Sequence, residues 1–234
     1  MEIIGGISSD VPEGLRGLVL ASAGLVTALL LIRRLFPRRR MNPLVAAAEK
    51  LGLSLQQEHD HILEHNLRDF NFSGCGRAFP KLFFVLSTLK EGVRLKVFDY
   101  NGSYFAFGLP YFLFQTMGFA EAAGVGFSRF FIAPRTLYWR LRSLFSKEDF
   151  VKEGVPVEFL RKFVLVVKKG HPRPKLSQDF FKTFLSLRVP YSLETRGNQF
   201  IFYRRGMVIP VRQIGDFLKD LASVADVLCR GVSR

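Results

Sequence analysis

The sequence predicts an α+β protein, in which one transmembrane helix is followed by a mostly antiparallel sheet with helices packed on one face. Three observations support this class. The first 40 residues contain a long apolar stretch. The remaining residues alternate between short β-rich segments and amphipathic helical patterns. Glycine-rich and asparagine-rich turn signals separate neighbouring β-rich segments, which is typical of antiparallel strands.

The apolar stretch covers residues 15–32, in which Arg16 is the only charged residue. Eighteen residues at a rise of ~1.5 Å make a helix of roughly 27 Å, close to the hydrocarbon thickness of a bilayer. Such a helix satisfies its own backbone hydrogen bonds in lipid. We therefore predict a transmembrane helix over residues 15–36, preceded by a short extracytoplasmic tail over residues 1–14.

A cluster of arginines directly follows the apolar stretch: Arg33, Arg34, Arg38, Arg39 and Arg40. Arginine on the carboxyl side of a membrane helix favours retention of that side in the cytoplasm. A cleaved signal peptide would carry its positive charge ahead of the apolar run. We therefore expect a single-pass protein of the inner membrane with its amino terminus outside. A basic neck over residues 37–41 then leads to a cytosolic α+β domain over residues 42–234.

Small residues four positions apart share one side of the predicted helix: Gly17, Ala21, Gly24 and Ala28. This spacing allows two helices to approach closely, so it predicts a homodimer contact or a protein partner within the membrane. The alternative is that small residues are simply common in membrane helices.

Turn and cap signals divide the domain after the neck into alternating elements. Strands are expected over residues 81–89, 93–100, 112–122, 159–167, 191–195 and 199–204, with a further strand ending at residue 132. Helices are expected over residues 43–50, 134–145 and 177–188 and from residue 210 onward. Two reversals compete after the strand at 93–100, one at Asn101-Gly102 and one at Gly108-Leu109-Pro110, and the sequence does not decide between them.

The charge of the chain is strongly positive, with 34 basic and 20 acidic residues and a net charge of +14. Residues 41–234 hold 28 of these basic and 17 of these acidic residues, so the domain carries most of the excess. A basic domain beside an anionic leaflet gains about 1 kcal/mol for each basic residue near the surface. The predicted lipid-surface or anion-binding residues are Arg33, Arg34, Arg38, Arg39, Arg40, Lys168, Lys169, Arg173 and Lys175.

A membrane-tethered nucleic-acid binder is an alternative function, because the same side chains bind phosphates. Base stacking also requires exposed aromatic rings, and most phenylalanines here recur at the spacing of core residues. The sequence therefore disfavours nucleic acid as a partner.

A metal-dependent enzyme is a second alternative, suggested by His59, His61 and His65. The last two histidines are four residues apart and share one face of a helix, as zinc ligands do. The metalloprotease spacing His-Glu-x-x-His is absent, and no second ligand cluster follows. A solvated polar segment is the favoured interpretation, so no metal site is predicted.

Two acidic residues, Asp99 and Glu194, fall within predicted strands. Paired carboxylates perform acid–base catalysis where they meet in space. Ion pairing with Arg94, Arg196 or Arg204 is the favoured interpretation, since no nucleophile elbow or phosphate-binding loop accompanies them. The sequence therefore favours a binding or scaffolding module over an enzyme and predicts no catalytic residue and no cofactor.

Several short motifs resemble those of an uncharacterised bacterial family with an amino-terminal membrane helix and a cytosolic α+β domain. They are Lys50 to Leu53, Phe98-Asp99-Tyr100, Gln115-Thr116, Phe130 with Pro134, Ser192-Leu193-Glu194 and Tyr203-Arg204. The resemblance spans roughly residues 42–230 and implies the same architecture, without a known activity. The family tends to have an acidic residue after the proline, where this chain has Arg135.

Overall fold

The computed structural model describes residues 22, 24, 40–56, 60–70, 81–106, 109–136, 139 and 149–232. The chain divides into two compact units, Met1–Pro43 and Leu44–Arg234. In the first unit the described residues are all helical. The predicted membrane helix and its small-residue face lie outside the described residues, except for Ser22 and Gly24, and so do the arginines at 33–39. None of the helices in the described part combines the length and apolar character that crossing a bilayer requires.

The second unit is built on a nine-stranded sheet, in which every pair of neighbouring strands is antiparallel. Its strands are β1 (Ser54–Gln56), β2 (Lys81–Lys90), β3 (Val93–Ala106), β4 (Leu109–Ala122), β5 (Phe130–Pro134), β6 (Asp149–Phe150), β7 (Phe163–Val167), β8 (Ser192–Arg196) and β9 (Gln199–Tyr203). They are arranged in the order β1-β2-β3-β4-β9-β8-β5-β7-β6. The predicted α+β class with an antiparallel sheet is confirmed.

Helices precede, interrupt and follow the strands. They are α1 (residues 40–51), α2 (His61–Arg68), α3 (Val157–Lys162), α4 (Gln178–Ser186) and α5 (Ile214–Val232). The hydroxyl of Ser177 accepts a hydrogen bond from the backbone N–H of Phe180 and so caps the amino terminus of α4. A short 3₁₀ helix, Val211–Gln213, leads from Pro210 into α5.

Both faces of the sheet are buried. Consecutive residues of a strand point to opposite faces, and Phe200 and Ile201 of β9 are both inaccessible to solvent. Four helices, α1, α3, α4 and α5, cover the face of Phe200, whereas α2 and the helical residue Trp139 cover the face of Ile201. The prediction that the helices pack on one face is therefore wrong. The central strands carry apolar side chains on both faces, so helical residues must shield both faces from water.

The reversal after β3 occurs at the second of the two competing signals. β3 continues through Asn101 and Gly102, and Ala106 pairs with Leu109. Gly102 serves a close approach within the strand, since a Cβ atom there would lie 2.4 Å from the phenolic oxygen of Tyr100. The hairpin extends beyond its neighbouring strands, because β2 reaches only Asn101 and β9 reaches only Met117.

One predicted strand begins later than expected. The prediction places it over residues 159–167, whereas α3 occupies the first part and β7 begins at Phe163. Exposed Arg161 and Lys162 separate the apolar residues of the two elements. The helix predicted over residues 134–145 lies mostly outside the described residues, although Pro134 belongs to β5 and Trp139 is helical.

Candidate anion-binding sites

The first candidate site begins with a turn at the end of β7, residues 168–171, which we call the lysine turn. The backbone N–H of His171 donates to the carbonyl of Lys168 at 3.0 Å. Gly170, the third residue of the turn, has a φ of +83°, a conformation that glycine adopts without strain. Lys168 and Lys169 are both exposed. The turn therefore presents two ammonium groups to solvent.

A loop carries two further cations from the lysine turn to α4. Arg173 and Lys175 are exposed, and Arg173 Nη1 lies 2.6 Å from Glu153 Oε2 in an ion pair that is itself largely exposed. Both cations line a cavity of about 340 Å³ whose apolar wall includes Phe127 and Phe180. Four of the predicted anion-binding residues thus lie in one exposed segment, residues 168–175, which we call the basic segment.

A second basic turn, residues 204–207, follows β9; we call it the arginine turn. The backbone N–H of Met207 donates to the carbonyl of Arg204 at 3.1 Å. Gly206, again the third residue, has a φ of +68°. Arg204 is half-buried and Arg205 is exposed. The turn has the same backbone design as the lysine turn, with two basic residues followed by glycine.

The two turns lie at opposite ends of the sheet. Val167, which precedes the lysine turn, pairs with Phe130 at the start of β5. Tyr203, which precedes the arginine turn, pairs with Ser192 at the start of β8. Because β8 runs antiparallel to β5, Ser192 lies near the end of β5.

Thr116 holds the arginine turn on β4. Its backbone N–H donates to the carbonyl of Met207 at 2.9 Å, and its hydroxyl accepts from the backbone N–H of Ile209 at 2.9 Å. The same hydroxyl donates to Asp99 Oδ1 at 2.6 Å. Thr116 is 1% exposed and Asp99 is 3% exposed, so these hydrogen bonds are shielded from water.

Gln115 provides a second attachment. Its side-chain carbonyl accepts from the backbone N–H of Gly206 at 3.0 Å. The Gln115 side chain is fully buried, and its amide nitrogen has no hydrogen-bond partner in the described part of the chain. We name the contacts of Gln115 and Thr116 with residues 206–209 the turn clamp.

The two carboxylates that the sequence raised as an acid–base pair do not meet. Asp99 lies on the face of β3 that carries Val97, whereas Glu194 lies opposite Phe131 and Ile201 on the other face of the sheet. A site that uses both residues is therefore excluded by the alternation of side chains along strands.

Two of the arginines that were weighed as their partners bind other acids. Arg94 lies 3.2 Å from Glu121, and Arg196 lies 2.7 Å from Asp69. The carboxylate of Asp99 accepts a hydrogen bond from the hydroxyl of Thr116.

The histidine segment is placed on α2, where His61 and His65 are exposed. His61 Nδ1 lies 3.7 Å from Glu64 Oε2, and His59 lies outside the described residues. Within the described ranges no group of three or more His, Cys, Asp or Glu side chains is arranged to hold a metal ion.

Sequence reasoning weighed Arg204 as an ion-pair partner of Asp99 or Glu194 and missed the turn clamp. The repeated pattern of two basic residues and a glycine is a signal that could have found both turns. Comparison with family models, curated proteins and solved structures finds no match to this chain. The resemblance to an uncharacterised membrane-anchored family stays a prediction.

Proposed function

We propose that this chain is a single-pass inner-membrane protein whose α+β domain binds anionic lipid headgroups at the cytoplasmic surface through the basic segment. The observation that carries the proposal is the exposure of four cations, Lys168, Lys169, Arg173 and Lys175, within eight residues. The apolar run at residues 15–32 and the arginines that follow it support the anchor and its orientation.

The expected attraction is large enough to orient a tethered domain. At about 1 kcal/mol for each cation near an anionic leaflet, four cations contribute up to about 4 kcal/mol. The anchor keeps the basic segment at a high effective concentration beside the lipid, so a weak headgroup contact suffices. The attraction falls off within about 8 Å at physiological salt, which makes it sensitive to ionic strength.

The anchor and its orientation are tested by cysteine labelling of the full chain, after both native cysteines are replaced by serine. The Asp10→Cys and Lys169→Cys variants are treated with a membrane-impermeant maleimide. We expect the variant at position 10 to react in intact spheroplasts and the variant at position 169 to react only after lysis. Reaction at position 169 in intact spheroplasts, or recovery of the full chain in the soluble fraction, would contradict the proposal.

Lipid contact is tested separately in nanodiscs. A bimane fluorophore is attached to the Lys169→Cys variant, and the discs contain spin-labelled headgroups with or without phosphatidylglycerol. We expect stronger quenching with phosphatidylglycerol and its loss at about 0.5 M salt. The matched control is Lys219→Cys, an exposed lysine of α5. Equal quenching at position 169 in both lipids would contradict the proposed headgroup contact but would not contradict the membrane anchor.

A further inference from the structure

A cavity of about 310 Å³ opens beside the arginine turn, at the other end of the sheet from the lysine turn. Its inner walls are buried side chains of strands and of one helical residue: Phe131, Ala133, Trp139, Ser192 and Tyr203. Its rim is more exposed and includes Thr136, Pro190, Arg204 and Arg205. The cavity therefore changes from an aromatic interior to a cationic mouth. Its volume lies at the lower end of small-molecule sites.

The interior offers ring faces and two hydroxyl groups. The ring centroids of Phe131 and Trp139 are 5.2 Å apart at 45°, and the ring centroids of Trp139 and Phe150 are 6.5 Å apart. Ser192 and Tyr203 are cross-strand partners, so their hydroxyl-bearing side chains lie on the same face. Such walls favour a ligand with a planar apolar ring over a charged group in the interior.

The mouth is cationic and held in place. Arg204 and Arg205 belong to the turn that Gln115 and Thr116 attach to β4. A guanidinium binds a carboxylate through two parallel hydrogen bonds, and a fixed backbone lowers the entropy cost of forming them.

The interior also disfavours a deeply placed anion. Glu194 is fully buried and lies two residues from Ser192 on the same face of β8. An acidic group of a ligand is therefore expected to stay at the rim, with the apolar body pointing inward.

We infer that this cavity binds a small aromatic carboxylic acid, with its ring packed against Phe131 and Trp139 and its carboxylate at Arg204 and Arg205. The site does not depend on the lipid contact proposed above, because the basic segment lies at the opposite end of the sheet. It adds a small-molecule ligand to a protein proposed to act at a membrane surface.

Trp139 is the single tryptophan of the chain, so its fluorescence reports directly on the cavity. The full chain in mild detergent is titrated with 4-phenylbutyrate, and we expect a saturable change in tryptophan emission. The neutral 4-phenylbutyramide has the same ring and is expected to bind at least about tenfold more weakly, because it lacks the charge-assisted hydrogen bonds. Octanoate keeps the charge without the ring and is expected to bind several-fold more weakly.

Two matched charge-neutralising variants locate the site. Arg204→Gln/Arg205→Gln is expected to weaken 4-phenylbutyrate binding at least about tenfold. Lys168→Gln/Lys169→Gln removes the same charge from the lysine turn and is expected to leave this binding unchanged. Circular dichroism checks that both variants fold. Should the arginine variant not fold, Ala133→Leu decides the location, since it narrows the cavity and weakens binding of acid and amide alike.

Failure of 4-phenylbutyrate to change the emission of Trp139 overturns the inference. Equal binding of the acid and the amide overturns the role of the arginines, and equal binding of octanoate overturns the aromatic class. Equal loss in the lysine and arginine variants overturns the location. None of these results bears on the lipid contact, which is read out by its own probe.

Discussion

The lysine turn and the arginine turn have the same local design but different surroundings. Each places two basic residues before a glycine with positive φ and closes with a hydrogen bond between its first and fourth residues. The arginine turn is tied to the buried side chains Gln115 and Thr116. Arg173, which follows the lysine turn, makes an exposed ion pair with Glu153.

The difference shows that local sequence sets the shape of a turn, whereas distant residues decide how firmly it is held. A firmly held arginine pair suits a ligand of defined geometry, because little conformational entropy is lost on binding. Exposed lysines on flexible stems suit a diffuse anionic surface, where charge matters more than geometry. We therefore expect substitutions to affect the two turns unequally.

The largest effect is expected from Thr116→Val, which removes the hydroxyl of the turn clamp. Asp99 and Ile209 each lose a buried hydrogen bond, so the free energy of unfolding should fall by about 3 kcal/mol. Pulse proteolysis in urea measures this change on the detergent-solubilised chain. Thr88→Val on β2, at a half-buried position, is the control and should change stability by less than about 0.5 kcal/mol. Equal effects at both positions would contradict the importance of the clamp.

The largely buried ion pair between Asp60 and Lys96 tests whether burial sets the size of such effects on stability. Burial alone would raise the pKa of Asp60, but hydrogen bonds from Lys96 and from the backbone N–H of Leu63 lower it below the ordinary value of 3.8. Asp60→Asn keeps the cap of α2 and removes the charge. Near neutral pH it should lower the free energy of unfolding by about 2 kcal/mol.

The pH dependence of this effect has a defined sign. Because the folded state holds the Asp60 proton less tightly than the unfolded state, the stabilisation is fully present above pH 3.8 and is lost as the pH falls through the lower folded pKa. The difference between parent and variant should therefore shrink in acid. Asp226→Asn is the control, because its pair with Arg230 is exposed and should contribute less than about 0.5 kcal/mol. A difference that grew in acid would contradict this reasoning.

Replacing the glycine of each turn with alanine compares directly how firmly the two turns are held. Gly206→Ala should cost about 1.5 kcal/mol, since the turn clamp prevents the backbone from leaving positive φ. Gly170→Ala should cost under about 0.7 kcal/mol, because the exposed lysine turn can adopt another turn type. Thermal or urea unfolding of the two variants gives the comparison. A larger loss at position 170 than at position 206 would reverse our ranking of the two turns.

The smallest effect on stability is expected from Glu153→Gln, which removes the negative charge from the exposed ion pair with Arg173. The free energy of unfolding should change by less than about 0.5 kcal/mol. Lipid contact should nevertheless strengthen about fivefold, since Arg173 loses a competing partner and the surface gains one positive charge. Quenching of bimane on the Lys169→Cys variant measures it. Weaker quenching would argue against contact between this surface and anionic lipid.

Much of the fold followed from local patterns. The helix expected near residues 177–188, the helix from residue 210 onward and the strands near residues 191–195 and 199–204 are confirmed, because each depends on residues that are close together in the chain. The extent of β3 was not decided locally. Asn101-Gly102 is a strong hairpin signal, yet it lies inside a strand because Tyr100 needs the space beside Gly102.

The candidate sites likewise combine features that local sequence predicts with features that it does not. The exposure of Lys168 and Lys169 was predictable from a polar loop that follows an apolar strand. The turn clamp joins residues 91 and 93 positions apart in the chain, and no local pattern reports such a contact. The aromatic cavity likewise combines residues from β5, β8 and β9 with Trp139, so only the pairing of strands assembles it.

The sheet is expected to open from the tip of the β3–β4 hairpin inward. Five residue pairs, from Gly102 with Leu113 to Ala106 with Leu109, lie beyond the reach of β2 and β9 in the register of the described strands. A ribbon of two strands is only marginally stable by itself and opens at lower free energy than the core. Amide protons should therefore exchange with deuterium first near Ala106 and progressively later toward Thr116, where the protected interior begins.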